Sequence, residues 1–588
     1  MDSRPEAPKM AHSKNGSRTS SKERATSDEF DFDAKVERAT GRRPSRSNTS
    51  VNDEDGLQRT ASHRRAGVGM VPKPSNSPTD PLNWPRWRKE LAFGSLMLGT
   101  AVIGTLKTLL VTVNSVIASE MSVDYMSATA LTGAPIMFGA FAGLKSQMLC
   151  HSFGKRGIYL GSSFLMLIGA LWNMHVYDSY AQFMVARIFQ GIGWGMFEAL
   201  ITSSIADMFF VHERTSRINA YNVISIWFTW GSPILGGYVS QSNDGFRNQI
   251  MIINVIQAIS ILLLIFATPE SSFDRTSSQQ SGTNNAPSKT VLSMYIDTLK
   301  LTNSHSTSKF TMKEALRPVR ALAAPSTILT ALLTAPLVAS SYGAASSLSL
   351  LFAAMPTFLF PARIGYIFIL PLIFSLLAYT LGSFVTYLRT KPPHHLSDSA
   401  VRTLTVAAPG MLVGVAGLLA FGLYTSAELM PEVEDNGTIF ALNIVGLEIS
   451  LKTVSSLFGL MVSGAVMLQY SGSTYLSTFV SPSGIGSSEL ASAHHVLQEI
   501  IIGIWVIGMP MWISGDGAMF VVAGLKNTTI ALGVLSIVFG TSVGAVLWVK
   551  GAAVSAVDTR VLGRRNESAG GVGGPLQRWK TTDSFIEP

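Results

Sequence analysis

Four polar residues interrupt a long apolar segment, in the stretch ARIFQGIGWGMFEAL at residues 186–200. They are Arg187, Gln190, Trp194 and Glu198. At 100° per residue, Glu198 lies about 1100° beyond Arg187, which returns it to within about 20° of the same helical face. An ionisable side chain that faces lipid costs at least about 2.5 to 3.5 kcal/mol, so this stripe is expected to face a cavity or the interior of a helix bundle.

A second polar face lies on the first apolar segment, which carries Thr100, Gly104, Lys107 and Asn114 at helical spacing. Two such faces predict a water-filled pathway between helices. The alternative is a buried ion pair that only locks helices together, and Arg187 is equally explained as a strut that bonds backbone carbonyl oxygens. At 1.5 Å per residue, Lys107 is expected roughly 10 to 15 Å further from the inner face than Glu198, too far for a direct pair, which predicts an electropositive outer half of the cavity.

The charges of the chain are concentrated in its tails. Only 14% of the 588 residues are charged, and the mean hydropathy is +0.30. Residues 1–89 hold 18 Lys/Arg and 12 Asp/Glu, and residues 550–588 hold 6 and 4, so these tails account for the whole net charge of +8. Basic tails beside apolar spans are typical of the cytoplasmic flanks of a membrane protein and do not indicate nucleic-acid binding.

Features of enzymes and metal sites are missing from the sequence. It contains no phosphate loop of the form GxxxxGK[ST]. Cys150 is the single cysteine, which excludes an internal disulfide and a cysteine metal cluster. The His pairs in PPHHL and SAHHV lack a third metal ligand at useful spacing and are predicted to lie in cytosolic loops or at helix starts. We therefore expect no enzymatic activity, no cofactor and no metal, and energy supplied by an ion gradient.

Twelve apolar windows are long enough to cross a bilayer, which takes roughly 20 residues for about 30 Å. The predicted helices occupy residues 91–118, 128–150, 157–176, 181–207, 218–240, 248–267, 325–350, 364–388, 403–424, 453–477, 496–514 and 527–549. The pattern predicts an all-α membrane protein with 12 transmembrane helices in two six-helix halves. The expected domains are a disordered cytosolic N-terminal tail (1–89), an N-terminal half (90–267), a cytosolic connector (268–323), a C-terminal half (324–549) and a cytosolic C-terminal tail (550–588).

Loop charge predicts the orientation of these helices. With both termini in the cytosol, the short inner loops carry seven Lys or Arg residues and the outer loops carry three. This asymmetry follows the positive-inside rule. Two N-x-[ST] sequons, at Asn436 and Asn527, fall on predicted outer loops and are candidate glycosylation sites. We expect a monomer in the plasma membrane.

Several motifs resemble those of the major facilitator superfamily. RIFQGIGWG resembles its fourth-helix motif, and ADMFFVHERTSR, with Asp207 and Arg214, resembles the end of that helix and the inner loop after it. WGSPILGGYVS resembles the fifth-helix motif GPxxGG of proton-coupled antiporters at Pro233, Gly236 and Gly237. DPLNWPRWRKE and TPES are similar to the fungal drug:proton antiporter branch. Since proline removes a backbone donor and glycine permits close approach, the fifth helix is expected to bend and pack tightly.

One inner loop departs from this family. The family sequence between helices 2 and 3 is approximately GxLxDRxGRR, whereas this chain has QMLCHSFGKR. Gly154 and Arg156 match, but His151 stands where an Asp is expected. We expect Arg156 to meet Asp207 and His151 to contribute no negative charge. Either the gate at the inner face is adapted to this change, or the charge relay of this loop is dispensable here.

The resemblance implies a secondary transporter that works by alternating access, with helices 1, 4, 7 and 10 around a central cavity. The candidate substrate and proton pathway comprises Lys107, Asn114, Arg187, Gln190, Trp194, Glu198 and, on the seventh helix, Tyr342. Glu198 is the predicted proton-coupling residue, because removal from water favours the protonated form of a carboxyl group.

The expected cargo is an amphiphilic small organic molecule, such as a toxin or secondary metabolite, with an acidic group held by Lys107 and Arg187. The antiporter-like fifth helix favours proton-coupled export. Two alternatives remain: a proton-coupled uptake symporter for a small organic solute, and a non-transporting receptor that resembles a transporter.

Overall fold

A computed structural model describes residues 74–75, 80–176, 178–242, 245–273, 316–354, 357–389, 404–429, 449–478, 487–514 and 524–561. The regular structure in these ranges is helical throughout. The helices are α1 (Arg86–Thr108), α2 (Asn114–Glu120), α3 (Tyr125–Met174), α4 (Tyr180–Met208), α5 (Val211–Val239), α6 (Arg247–Ala267), α7 (Arg317–Leu322), α8 (Pro325–Ala353), α9 (Pro361–Tyr366), α10 (Ile369–Arg389), α11 (Ala407–Leu429), α12 (Leu451–Thr478), α13 (Ser487–Ser514) and α14 (Leu525–Val561). Short 3-10 turns precede α1 at Pro81–Asn83 and α11 at Leu404–Val406.

Twelve long helical segments occur in the described part of the chain, six before residue 274 and six after residue 315, once α3 is divided at Gly154. Ten of them are apolar enough to cross a membrane, and the two arms of α3, Tyr125–Cys150 and Phe153–Met174, count separately. The other two, α4 and α5, have 29 residues each and carry most of the polar residues singled out above. The predicted fold class is therefore confirmed.

The first span is a broken helix rather than the continuous one predicted at residues 91–118. α1 ends at Thr108, and α2 begins at Asn114. The Thr108 hydroxyl donates to the carbonyl oxygen of Thr229 on α5, at 2.7 Å. The intervening LLVTV carries no Gly or Pro, so the break has no strong sequence signal, although its three β-branched residues weaken a helix.

The eleventh span begins earlier than predicted. α13 starts at Ser487, nine residues before the expected position 496, because its first turns are polar but still helical. His494 and His495 lie inside this helix, so their prediction as loop or helix-start residues is wrong. Asn527 lies in the first turn of α14 rather than in a loop. Asn436, the first 73 residues and most of the connector lie outside the described residues.

Contacts between the two sets of six helices involve α13 with α3, α5 with α9 and α10, and α2 with α8. Glycine makes several close approaches possible. A Cβ on Gly133 of α3 would lie 2.7 Å from the carbonyl oxygen of Gly503 on α13. Within the first half, Gly191 and Gly195 of α4 pack against the backbone of Pro135 and Gly139. The small residues of the fourth-helix motif thus serve close helix packing.

Candidate functional site

A three-residue ion-pair network lies in the middle of the bundle. The Lys107 ammonium is 2.8 Å from Glu198 Oε2 and 2.8 Å from Glu499 Oε1. The lysine side chain is 7% exposed and each carboxylate 10%. Lys107 on α1 and Glu198 on α4 belong to the first half, whereas Glu499 on α13 belongs to the second. One ammonium therefore joins the two halves of the molecule.

Two further polar groups surround the carboxylates. His495 Nε2 lies 3.6 Å from Glu198 Oε1 and 3.7 Å from Glu499 Oε1. His495 and Glu499 are four residues apart on α13, which places both on one helical face. The Tyr221 hydroxyl donates to Glu198 Oε1 at 3.5 Å. His494 has a different partner, with Nε2 3.1 Å from the Thr334 hydroxyl.

The network borders a cavity of about 190 Å³. Among the described residues that line it, the acidic and basic side chains other than histidine are Lys107, Glu198 and Glu499, so the wall carries one net negative charge when these three are ionised and the histidines are neutral. Its aromatic residues are Trp194, Tyr221, Trp230, Tyr342, Tyr379 and Tyr470. The wall is therefore anionic and aromatic, which contradicts the predicted electropositive cavity.

The expected separation of Lys107 and Glu198 is wrong because helix ends are poor markers of depth. The rings of Phe93 and Phe209 pack edge to face with centroids 6.0 Å apart, which sets the register of α1 against the end of α4. From this level Lys107 is 14 residues up α1 and Glu198 is 11 residues back along α4. At 1.5 Å per residue these rises are about 21 and 16 Å, a difference that two long side chains can bridge.

Four of the seven predicted pathway residues, Lys107, Trp194, Glu198 and Tyr342, line the cavity. Arg187 and Gln190 do not. The Arg187 guanidinium donates to the carbonyl oxygens of Leu131 and Leu106 and to Gln190 Oε1, at 3.0 to 3.1 Å. Leu106 lies in the last turn of α1, where carbonyl oxygens lose their helical partners. Arg187 is thus the structural strut that the sequence left as an alternative.

Asn114 also lies away from the cavity, in a cluster of hydrogen bonds between the halves. Its Nδ2 donates to the carbonyl oxygen of Ser346 at 3.1 Å. The Tyr125 hydroxyl donates to the same oxygen at 2.7 Å, lies 2.8 Å from the Ser349 hydroxyl and accepts from the Leu350 amide. We name these five residues the Tyr125 clasp. They join α2 and the start of α3 to the end of α8.

The inner loop between the arms of α3 makes a different pairing from the predicted one. Lys155, rather than Arg156, forms the ion pair with Asp207. Arg156 donates to the carbonyl oxygens of Ile265 and Thr268 at the end of α6. The amides of Lys155 and Arg156 both donate to the Glu270 carboxylate, at 3.0 to 3.1 Å.

Glycine is required at position 154 for two reasons. Its φ is +74°, and a Cβ would strike the Glu270 carboxylate. The other predicted inner-loop residue, Arg214, donates to the carbonyl oxygens of Ala206 and Phe209 and so caps the end of α4.

The fifth-helix motif lies at the contact between the halves. Gly237 faces the carbonyl oxygen of Pro361 so closely that a Cβ would overlap it, and a Cβ on Gly365 would lie 2.8 Å from the carbonyl oxygen of Pro233. Gly236 faces the side chain of Gln249 within the first half instead. The motif therefore permits backbone contact between α5 and α9.

Sequence reasoning missed Glu499 and His495. A signal for Glu499 was present, because it is an acid inside a predicted span and intramembrane acids are costly. His495 was placed outside the helix by the late start assigned to α13. The expectation that this His pair lacks a third metal ligand is also corrected, since one donor atom each from Glu198, His495 and Glu499 lie within 4.8 Å of one another.

Comparisons with known proteins identify the family of this chain. The family model described as Major Facilitator Superfamily matches residues 96–487. The chain is 28% identical to Protein HOL1 of Saccharomyces cerevisiae over 257 residues, 43% of this chain and 42% of that protein. It is 30% identical to the MFS antiporter QDR3 of Candida albicans over 118 residues, 20% of this chain and 17% of that protein. The matched segments thus span less than half of either relative.

A solved structure shares the fold. It is a crystal structure of a POT family transporter in complex with 5-aminolevulinic acid, with a TM-score of 0.53 and 14% identity. The match covers 81% of this chain and 97% of that one.

Proposed function

This chain belongs to the Major Facilitator Superfamily and is a multi-pass membrane protein, and from that premise we propose that it is a proton-coupled exporter of small amphiphilic organic cations. The observation that carries the proposal is the Lys107 ammonium held between Glu198 and Glu499, one carboxylate from each half, at a cavity wall. A polar network at the midplane between two halves is where secondary transporters bind their substrate and coupling ion.

The charge balance of the cavity favours a cation as cargo. Two carboxylates face one ammonium, so a single positive charge from a proton or a ligand neutralises the wall. Six aromatic side chains add surfaces that attract organic cations through their π faces. An acidic cargo, as expected from the sequence, would require an unpaired Lys107. Both carboxylates hold that ammonium, so the cavity does not favour an acidic cargo.

Proton coupling is proposed for the two carboxylates together. A proton on Glu198 or Glu499 removes one attraction for Lys107, and the ammonium then has a single partner. Because Glu499 belongs to the other half, its protonation weakens the link between halves. A cation that binds the released carboxylate competes with the proton, which is the basis of exchange.

Export is favoured by the fifth-helix motif and by similarity to a protein named an antiporter. We propose the plasma membrane as location, with both termini in the cytosol, as the loop charges predict. An uptake symporter would have the same fold, and measurements in cells distinguish it from an exporter. Deletion of an exporter raises the intracellular level of its cargo, whereas deletion of an uptake symporter lowers it.

Flux in proteoliposomes tests the proposal. The probe is benzyltrimethylammonium, an aromatic cation that is permanently charged and crosses lipid poorly, and benzenesulfonate is the anionic counterpart. With an acidic lumen we expect the cation to accumulate and the anion not to. Glu198→Gln should abolish the accumulation, because it keeps size and hydrogen bonding but removes the titratable proton.

Glu90→Gln is the matched control, since Glu90 pairs with Arg217 in an exposed position away from the cavity. It should transport as wild type does. Wild-type flux in Glu198→Gln would remove that residue from coupling. Better transport of benzenesulfonate than of the cation would refute the assignment of cargo charge.

A further inference from the structure

The cavity contains a set of metal-type donors, two of which already hold the protein's own lysine. Glu198 and Glu499 supply carboxylate oxygens and His495 an imidazole nitrogen. These are the donor types that zinc and related transition metals prefer in proteins. The donors come from α4 and α13, so the set forms only when both halves meet.

Two of the three distances between donors are close to those of a tetrahedral site, and all three donors lie within 4.8 Å of one another. Ligand atoms bound to zinc at about 2.0 to 2.1 Å lie about 3.3 Å from one another. His495 Nε2 is 3.6 Å from Glu198 Oε1 and 3.7 Å from Glu499 Oε1. Small side-chain rotations would therefore close the set around an ion.

Lys107 lies beside the place that the ion would take, in contact with two of the three donor residues. Its ammonium contacts both carboxylates at 2.8 Å, and its side chain is 7% exposed at the cavity wall. A divalent ion would have to lie against this positive charge or displace it from both partners. Like charges at such distances repel strongly where water is scarce.

We propose that Lys107 is a specificity-determining residue that excludes divalent metal ions from the cavity and reserves the carboxylates for protons and singly charged organic groups. The lysine acts as a tethered cation that leaves one net negative charge on the wall. Without it the same wall carries two negative charges and an imidazole, which is a divalent metal site. The exclusion of metal ions rests on the geometry of the donors, whereas the use of the carboxylates by protons and organic cations rests on the proposed function.

Binding of Zn²⁺ to the purified full chain, measured by equilibrium dialysis in a Cys150→Ser background, tests the proposal. Lys107→Met should bind one additional Zn²⁺ at least about tenfold more tightly than the background protein does, and the double variant Lys107→Met/His495→Asn should lose that gain. Zinc should also raise the melting temperature of Lys107→Met alone, because a ligand of the native state stabilises it. X-ray absorption at the zinc edge should show an imidazole and oxygen ligands.

Lys155→Met is the matched control, since Lys155 also pairs with a carboxylate, that of Asp207, away from the His495 cluster. It should gain no zinc site. Lys107→Gln is the second variant if Lys107→Met does not fold. Equal zinc affinity of the Lys107 variants and the background protein would overturn the inference, as would a gain that survives His495→Asn. Because no flux is measured, these results stand apart from any failure of the transport assay.

Discussion

At the scale of single residues, Lys107 and Arg187, two cations inside membrane helices, have different tasks. Lys107 faces the cavity and pairs with two carboxylates. Arg187 is 1% exposed, and its guanidinium donates to two backbone carbonyl oxygens and to Gln190. The planar guanidinium suits the second task, because it presents several donors in fixed directions. An ammonium is a compact charge that exchanges partners more readily.

Replacement of Arg187 by lysine should destabilise the protein without altering the charge of the first half. A lysine cannot reach Leu106, Leu131 and Gln190 together, and each lost hydrogen bond to a charged group costs about 1.5 to 3 kcal/mol. Thermal unfolding of the purified chain measures the loss. Arg247→Lys is the control, because Arg247 pairs with Glu120 in a partly exposed position. Equal melting temperatures for the two variants would contradict the role of Arg187 as a strut.

At the scale of helices, glycine decides how closely α5 approaches the second half. Gly237 lies against the backbone of Pro361 at the start of α9, and Gly236 lies against the side chain of Gln249. A backbone atom held in a helix cannot move aside, but a side chain can rotate. The two adjacent glycines of one motif therefore differ in how well they tolerate a larger side chain.

Gly237→Ala should be much more harmful than Gly236→Ala. The first adds a methyl group that overlaps the Pro361 carbonyl oxygen, and overpacking of this kind costs about 1 to 3 kcal/mol. The second needs Gln249, 3.1 to 3.4 Å from the new Cβ, to shift by a few tenths of an ångström. Melting temperature and flux of both variants measure the difference. Equal effects would mean that the α5–α9 contact is looser than the geometry indicates.

At the scale of the whole molecule, the halves are held together at one end of the cavity. The Tyr125 clasp, the Gly133–Gly503 contact and the Gly237–Pro361 contact lie where α1 ends and α3 begins. The cavity is lined by the second half of α4 and the first half of α13, toward the opposite end. Alternating access requires that the closed end separate, so its hydrogen bonds should set how often that occurs.

Tyr125→Phe should make the closed end open more often. The change removes the hydroxyl that joins α3 to Ser346, Ser349 and Leu350, and each such bond contributes about 0.5 to 1.5 kcal/mol. The reporter is Ser341→Cys, a cavity-lining position, in a Cys150→Ser background. Sealed vesicles of each orientation are labelled separately with an impermeant thiol reagent. In the orientation that exposes the clasp side, labelling should become about threefold to tenfold faster.

Tyr180→Phe is the control, because the Tyr180 hydroxyl donates to the Ser127 carbonyl oxygen within the same half. It removes a comparable bond but leaves the clasp intact, and labelling should stay at the wild-type rate. Ser349→Ala gives a second, smaller disruption of the clasp. If Tyr125→Phe labels no faster than Tyr180→Phe, the clasp does not hold the halves closed.

The sequence by itself determined the fold class and part of the candidate site. Length and hydropathy predict twelve spans in two sets, since a membrane helix must be long and predominantly apolar. An ionisable group in an apolar segment is also visible in the sequence alone, and its free-energy cost in lipid singled out Lys107 and Glu198. The fourth- and fifth-helix motifs then indicated the family, to which the chain belongs.

Only the tertiary structure decided which of these residues meet. Periodicity fixes the face of a helix but not its depth against a neighbour, and the Phe93–Phe209 contact sets the register that brings Lys107 to Glu198. Glu499 lies 392 residues after Lys107 along the chain. No rule of sequence spacing links these two residues. The charge of the cavity depends on that long-range contact, because the Glu499 carboxylate changes the wall from neutral to anionic.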